Sequence, residues 1–389
     1  MLIARAPVRI SFGGGGTDLA AYYTRFGGFV VSAAITRYCY VVARTPADRR
    51  LRIYSADYQI TETFRCGEPP VVEEPLILPK AAIERFLDRG LRETGIDLFL
   101  AAEVPPGTGL GSSSAMAISL IRALAASVGM GLTATEAAGL ACWLEIERLG
   151  MPIGKQDQYA SAFGGLNTIE FTADGVSVRP LRAPADVVAA LSARLLLFST
   201  GKSRDSAGIL RQQRADTGSK PAVIESLHRI KALAEEMCEA LMAADLDGFG
   251  GLLDRAWWHK KQLSGKISSA TIDQWYEAAR EAGALGGKIA GAGGGGFLLL
   301  YCPPRRQKAV RAAMAQFGLR ELAFGFDFAG AQVLAAGDAS RFNGRVPVRV
   351  VGTERRSTAY ERAGSFIECE QEKGGTNARR HRTVLARTG

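Results

Sequence analysis

Residues 105–115 read PPGTGLGSSSA. Glycines at 107, 109 and 111 let the backbone turn tightly and aim several N–H groups inward, and the serines that follow are good openers of a helix. The start of that helix adds the positive end of its dipole. Pro106, Gly107, Gly109, Leu110, Gly111, Ser112, Ser113 and Ser114 therefore form a candidate anion site suited to a nucleotide phosphate. No lysine follows Gly111, so the loop is not a Walker A motif and serine hydroxyls must assist in its place. The same three glycines would also serve a plain strand-to-helix connection.

Just before this loop, IDLFLAAEV (96–104) is the strand that delivers the chain to it, and SSSAMAISLIRALAASVG continues from it as a helix. TATEAAGLACWLEIERLG (133–150) reads as a second helix, capped by Thr133 or Thr135. Upstream, 2–12, 29–35, 38–45 and 51–56 are strand-like, and AAIERFLDRGLRE (81–93) is an amphipathic helix. A short proline-containing link near Ala183 leads to a buried strand within VVAALSARLLLFST. The pattern is then helical from Lys220 to Arg280, split around Asp245 and Ser264. GGGGFLLLYC (293–302) runs into a strand, a helix follows, and a last strand lies near Phe328 to Leu334. This alternation predicts an α+β protein of two lobes, 1–185 and 186–336, followed by a tail over 337–389.

IAGAGGGGF (289–297) holds five glycines, which have no use in a packed core and lose conformational entropy on folding. A turn that approaches a ligand is the better reading, with Gly293 and Gly294 at its centre. Two residues apart on a helix point in nearly opposite directions, so only one of Glu145 and Glu147 can face a site. Mg²⁺ bound with a nucleotide takes one or two protein carboxylates, so one Glu and one Ser hydroxyl would suffice. Asp157, in GMPIGKQDQYASAFGG (150–165), is placed to orient or deprotonate a substrate hydroxyl, or simply to form a turn. Near the start, RAPVRISFGGGGTD sets Arg9 before four glycines and Asp18. Arg9 can balance charge on a transferring phosphoryl group or sit at the surface; Asp18 can bond sugar hydroxyls or cap a helix.

The 389 residues are 47% hydrophobic and 22% charged, an ordinary globular composition that excludes wholesale disorder and a disulfide-stapled miniprotein. Apolar runs such as Leu195 to Phe198 fall far short of the roughly 18 residues that span a bilayer. Arg5 and Arg9 interrupt what would have to be the apolar part of a signal peptide, so the expectation is a cytoplasmic protein with no membrane partner. Six cysteines lack CxxC pairing and there are only three histidines, so reduced thiols rather than a zinc site are expected. The net charge of +9 is concentrated at the end, where 337–389 carry eleven Lys and Arg against six Asp and Glu. With three aromatics to stack on bases, this tail reads as a solvated, disordered extension rather than a nucleic-acid arm.

The order of these motifs, an APxR strand with a later TD, then PPGTGLGSSSA, then GMPxGxxDQ closing on GG, then KIAGAGGGGF, resembles the GHMP sugar and isoprenoid kinases over residues 1 to about 335. RISFGGGGTD and STGKSRDSAGILRQQ (199–213) look like the branch that includes D-glycero-D-manno-heptose 7-phosphate kinases and fucokinase-like enzymes. The resemblance implies a two-lobed fold with the glycine-rich phosphate loop between the lobes, ATP and Mg²⁺ as cofactors, and a small-molecule sugar or sugar phosphate as acceptor. By position it makes Ser113 and Glu145 the magnesium ligands, Asp157 the catalytic aspartate and Arg9 the cation beside the reacting hydroxyl. It makes Asp18 the sugar-binding aspartate, with Gly15 and Gly16 beside it.

The expected reaction is phosphorylation of an anomeric hydroxyl of a heptose phosphate. A distal phosphate needs cations, for which Lys202 and Arg204 are candidates, although on an exposed loop they would have no such role. Phosphorylation of fucose or another sugar, and a non-catalytic sugar sensor on the same fold, are the alternatives. Filled Asp, Glu and Ser positions argue against the sensor.

Overall fold

The seventeen residues GFVVSAAITRYCYVVAR from Gly28 stay extended because β-branched and aromatic side chains fill the run and no proline breaks its ladder. Around this strand the computed structural model, which describes residues 1–65, 68–201 and 206–335, builds a large sheet. Its strands are β1 (Leu2–Gly13), β2 (Gly28–Arg44), β3 (Leu51–Ser55), β4 (Ile60–Phe64), β5 (Ile96–Ala102), β6 (Leu166–Phe171) and β7 (Val176–Pro180). β2 is long enough to pair with β6 through its first half and with β5 through its second, while β1 runs along its other edge. Only β3 and β5 pair in parallel among these described strands.

A second, four-stranded sheet comprises β8 (Leu195–Ser199), β9 (Gly286–Ile289), β10 (Phe297–Tyr301) and β11 (Arg320–Glu321), in the order β11-β8-β10-β9. The last strand, β12 (Gln332–Ala335), returns to the first sheet and pairs with β1. Leu197 and Leu299 of the second sheet join the same apolar cluster as Phe12 and Val31 of the first.

Two register shifts interrupt the β1–β2 pairing, between Pro7 and Val8 and between Ser11 and Gly13. Pro7 cannot donate to a ladder, and such irregularities re-aim neighbouring side chains. Arg9 and Ser11 lie between them. The helix Ser112–Ser127 packs across β1 and β2 with Ala115, Ile118, Ile121 and Leu124 at most 1% exposed. Each fully buried Ile or Leu contributes about 1.5–3 kcal/mol, and the intervening alanines let the helix sit close to the sheet. That packing sets where its N-terminus points.

Several elements depart from the sequence reading. Gly111, at φ +77°, occupies the N-cap of the helix Ser112–Ser127. The serines form its first turn instead of capping it, which leaves their hydroxyls for other partners. The expected helix over 81–93 is Ile77–Phe86, with short turns on either side of Gly90. Thr133 caps the helix Ala134–Cys142 through a capping box with Glu136, but Trp143–Arg148 then widens into a π-helical stretch. Helices Pro221–Met242, Leu246–Lys261 and Ala270–Glu281 occupy the predicted helical region, with Asp245 and Ser269 as caps. The helix Ser206–Ser219 is an addition to the sequence reading, because its polar run reads as solvated.

Cys39, Cys142, Cys238 and Cys302 are free thiols. No helix among the described residues is long and apolar enough to cross a membrane. The tail and the candidates Lys202 and Arg204 lie outside the described residues.

Candidate functional site

Arg9 is 4% exposed, and its backbone N–H donates to the Leu110 carbonyl at 2.9 Å, fastening β1 to the glycine loop. Its guanidinium donates Nη1 to the Gly109 carbonyl at 2.7 Å and Nε to Asp157 Oδ1 at 2.7 Å. A second approach, Nη2 to the same Oδ1 at 2.5 Å, completes a strong ion pair. Asp157 lies in the first turn of the helix Gln156–Phe163, and its Oδ2 sits beneath Gly111, where an added Cβ would fall 3.1 Å away. Three parts of the chain, β1, the loop at 107–111 and residue 157, are thus locked into one cluster.

The second glycine run meets the first. At Gly296, φ is +89° and an added Cβ would come within 2.1 Å of the Thr108 carbonyl oxygen, so no larger residue fits without parting the loops. Thr200 holds Gly296 from behind, with its N–H 2.9 Å and its hydroxyl 3.0 Å from the Gly296 carbonyl. Gly291 and Ala292 face the resulting cavity together with Gly107, Gly109, Gly111 and Ser112 to Ser114. Gly293 and Gly294 belong to the same turn without lining the cavity; the Gly294 N–H donates to Ile267 at 2.7 Å.

Glu145 is fully buried and Glu147 exposed, as the helical spacing of the two required. Ser113 donates its hydroxyl to Glu145 Oε1 at 2.8 Å, and Gln158 donates Nε2 to Oε2 at 2.6 Å. Burial pushes the Glu145 carboxyl up to about 7, against hydrogen bonds from Ser113, Ser114 and Gln158 that hold it down. A desolvated carboxylate behind a serine at a helix N-terminus is a donor pair suited to Mg²⁺ that also holds phosphate oxygens. The described residues offer no cluster of three or more His, Cys, Asp and Glu that would hold a metal without such a partner.

At the opposite end Asp18 is 3% exposed and accepts from the Gly16 N–H at 2.9 Å and the Gln156 N–H at 3.3 Å. Burial, and then the charge of Asp157, raise its pKa above the usual range, while those amides oppose the rise. Gly15, Gly16 and Asp18 share the cavity with Arg9 and Asp157. Leu110 is buried behind the loop, and Pro106 lines a neighbouring apolar cavity that shares Ser112 and Ser113 with the first.

Sequence reasoning missed Ser11, Gln156, Gln213, Lys260 and Lys288, all of which line the cavity. Lys288 donates Nζ to the carbonyls of Ser11 at 2.8 Å and Phe12 at 3.2 Å. Burial, followed by Lys260 and Arg9, pushes its pKa well below the ordinary value. Lys288 stood in the quoted motif KIAGAGGGGF and was open to notice. Lys260, in the last turn of its helix, resembles any basic C-terminus.

The GHMP kinases N terminal domain matches residues 78–165 and the GHMP kinases C terminal domain residues 225–319. A D-glycero-alpha-D-manno-heptose 7-phosphate kinase of Campylobacter jejuni is 32% identical over 79% of this chain and 92% of that protein. A bifunctional fucokinase/GDP-fucose pyrophosphorylase of Arabidopsis thaliana is 29% identical over 80% of this chain, which spans 31% of that longer protein. Among solved structures, a D-glycero-D-manno-heptose 1-phosphate kinase from Bacteriodes thetaiotaomicron superimposes with a TM-score of 0.73 at 28% identity, covering 86% of this chain and 99% of that one. With the loop, the buried glutamate and the Arg9–Asp157 pair arranged as described, the chain belongs to the GHMP kinase family and is a phosphotransferase with an alcohol group as acceptor.

Proposed function

We propose that this kinase transfers the γ-phosphoryl group of ATP to the anomeric hydroxyl of a heptose phosphate, D-glycero-D-manno-heptose 7-phosphate. The observation that carries the reading is the Arg9–Asp157 pair, set between the open N–H groups of the glycine loop and the buried carboxylate of Asp18. Phosphoryl transfer is mainly positioning and charge neutralisation. The loop amides and the first turn of the helix Ser112–Ser127 hold phosphate oxygens, and Arg9 balances charge between them and the acceptor. Asp157 orients the hydroxyl and takes its proton; an anomeric hydroxyl is more acidic than an ordinary alcohol, which makes that transfer less uphill. Asp18, with Gly15 and Gly16, holds the sugar. Ser113 and Glu145 would hold Mg²⁺, whose chemistry is to neutralise charge on the β- and γ-phosphates. The neighbouring cavity, walled by Tyr58, Leu76, Leu78, Leu100 and Met116, suits the apolar faces of a purine base.

The heptose kinases above support a heptose as acceptor, the first of them by its name also the 7-phosphate, and the division of the chain at about residue 185 is supported by the change of sheet between β7 and β8. Lys202 and Arg204 remain our candidates for the distal phosphate, from their place just after β8. Fucose is the second reading, favoured by the 29% identity to the plant enzyme and to an L-fucokinase/L-fucose-1-P guanylyltransferase of Bacteroides fragilis. A coupled ADP-release assay across phosphorylated and free heptoses, hexoses and L-fucose decides between them. The heptose 7-phosphate should show the highest kcat/KM; a higher value for L-fucose would replace it as substrate.

Loop apposition gives a separate check on the nucleotide end. Gly296→Ala sets a methyl against the Thr108 carbonyl at a backbone angle that disfavours side chains. ATP binding, measured by displacement of a fluorescent analogue, should weaken about tenfold or more, and stability should fall by about 1–3 kcal/mol. Unchanged nucleotide affinity would separate the second glycine run from the phosphate site.

A further inference from the structure

The acceptor end of the cavity holds a side chain that the proposed reaction has not used. Leu210 and Gln213 are three residues apart on the helix Ser206–Ser219, hence on one face, and both line the cavity. Gln213 is 0% exposed, and neither its Oε1 nor its Nε2 has a hydrogen-bond partner among the described residues. Its amide lies against Gly16, where an added Cβ would come within 2.4 Å of Nε2. The Gly16 N–H in turn donates to Asp18, so the amide stands beside the carboxylate assigned to the sugar. Ser11 Oγ and Gln156 Oε1, from two other lining residues, are likewise buried without partners. A buried donor or acceptor left unpaired is costly, and native folds seldom tolerate it without a reason. Four such atoms around one cavity form a set that a polyhydroxylated ligand would satisfy.

We propose that Gln213 is a specificity-determining residue that reads two adjacent hydroxyls of the acceptor. A carboxamide presents an acceptor and a donor side by side in one plane. One hydroxyl donates to Oε1, and its neighbour accepts from Nε2, so the preferred acceptor carries a vicinal diol distinct from the reacting oxygen. Gly16 is glycine at a left-handed backbone angle, and the amide fills the space where its Cβ would lie. The inference rests on the reading that this cavity takes a sugar.

The test compares the best sugar of the panel with its singly deoxygenated analogues, by steady-state kinetics and by calorimetric binding, in wild type, Gln213→Met and Gln213→Glu. Wild type should reject at least one analogue by roughly 10²-fold or more, because the missing hydroxyl leaves the amide unpaired. Gln213→Met should lower kcat/KM for the parent sugar toward that of the analogue and shrink the discrimination below about tenfold. Its nucleotide affinity should not change, and its Tm should not fall, since an apolar chain of similar length removes the unpaired amide. Gln213→Glu keeps an accepting oxygen and loses the donor, so only the hydroxyl that accepts from Nε2 should cease to be read. Discrimination intact in Gln213→Met overturns the proposal, as does failure of both variants to fold, which would mark the glutamine as structural. A wild type that turns over no sugar sinks the proposed sugar acceptor instead, and the calorimetric comparison then still decides what Gln213 does.

Discussion

Asp157→Asn should lower kcat by roughly 10²- to 10⁴-fold while changing the affinity for ATP far less. The asparagine side chain keeps an oxygen for Arg9 to bond, so the guanidinium stays aimed at the Gly109 carbonyl and the phosphate end remains built. What is lost is the negative charge beside the acceptor hydroxyl and the ability to take its proton. Asp157→Ala is a poorer probe. It would leave the buried Arg9 with only the Gly109 carbonyl among the partners described above, and removing one member of a buried pair commonly costs about 3–5 kcal/mol. The measurement is a single-turnover rate alongside displacement of a fluorescent nucleotide. Turnover near that of wild type in the Asn variant would remove Asp157 from the chemistry, whatever its place beside Arg9.

The second large effect is expected at Glu145. Glu145→Gln keeps the shape that Ser113 and Gln158 pack around but withdraws the charge, and the apparent affinity for Mg²⁺ should fall about 10- to 100-fold. Glu147→Ala should leave both activity and stability alone, within about 0.5 kcal/mol, because that side chain is exposed. A Mg²⁺ titration of each variant ranks them, and the reverse order would show that the carboxylate behind Ser113 does not serve the metal. The pH dependence has a definite sign. In the metal-free protein the Glu145 carboxyl is raised from 4.5 to about 7, so its contribution to stability is complete below pH 4.5 and is lost as the pH rises toward 7. At pH 8 the uncharged Glu145→Gln variant should therefore be no less stable than wild type, and a large loss there would contradict the assigned burial.

Both variants test residues that are legible in the sequence. Helical direction, which does not depend on what surrounds it, put Glu145 and Glu147 on opposite sides, and the family resemblance chose Glu145 of the two. The widening of Trp143–Arg148 into a π-helical stretch was not legible, since nothing in WLEIER distinguishes it from an ordinary helix. It left the opposed directions of the two glutamates intact. The serines were misplaced by one position for a related reason. A serine and a glycine both suit an N-cap, and the left-handed angle that selects Gly111 arises where the loop turns beneath β1.

What the amino-acid sequence determined alone was local. Spaced glycines, a helix beginning at their end, and carboxylates at stated helical phase follow from backbone sterics and periodicity, which act over a few residues. Their order along the chain was enough to resemble a family and to pick out Arg9, Asp18, Ser113, Glu145 and Asp157. Tertiary structure decided which distant groups complete the cavity. Lys288 enters it because its amine reaches the Ser11 and Phe12 carbonyls at the end of β1, Lys260 because its amine comes close to Gly15, and Gln213 because a polar-looking helix turns one face inward. Lys288 and Gln213 stand at the ends of stretches quoted from the sequence and Lys260 in none, but burial and an unpaired amide are properties of the packed chain. The apolar cluster shared by the two sheets is what carries these separate segments to one place.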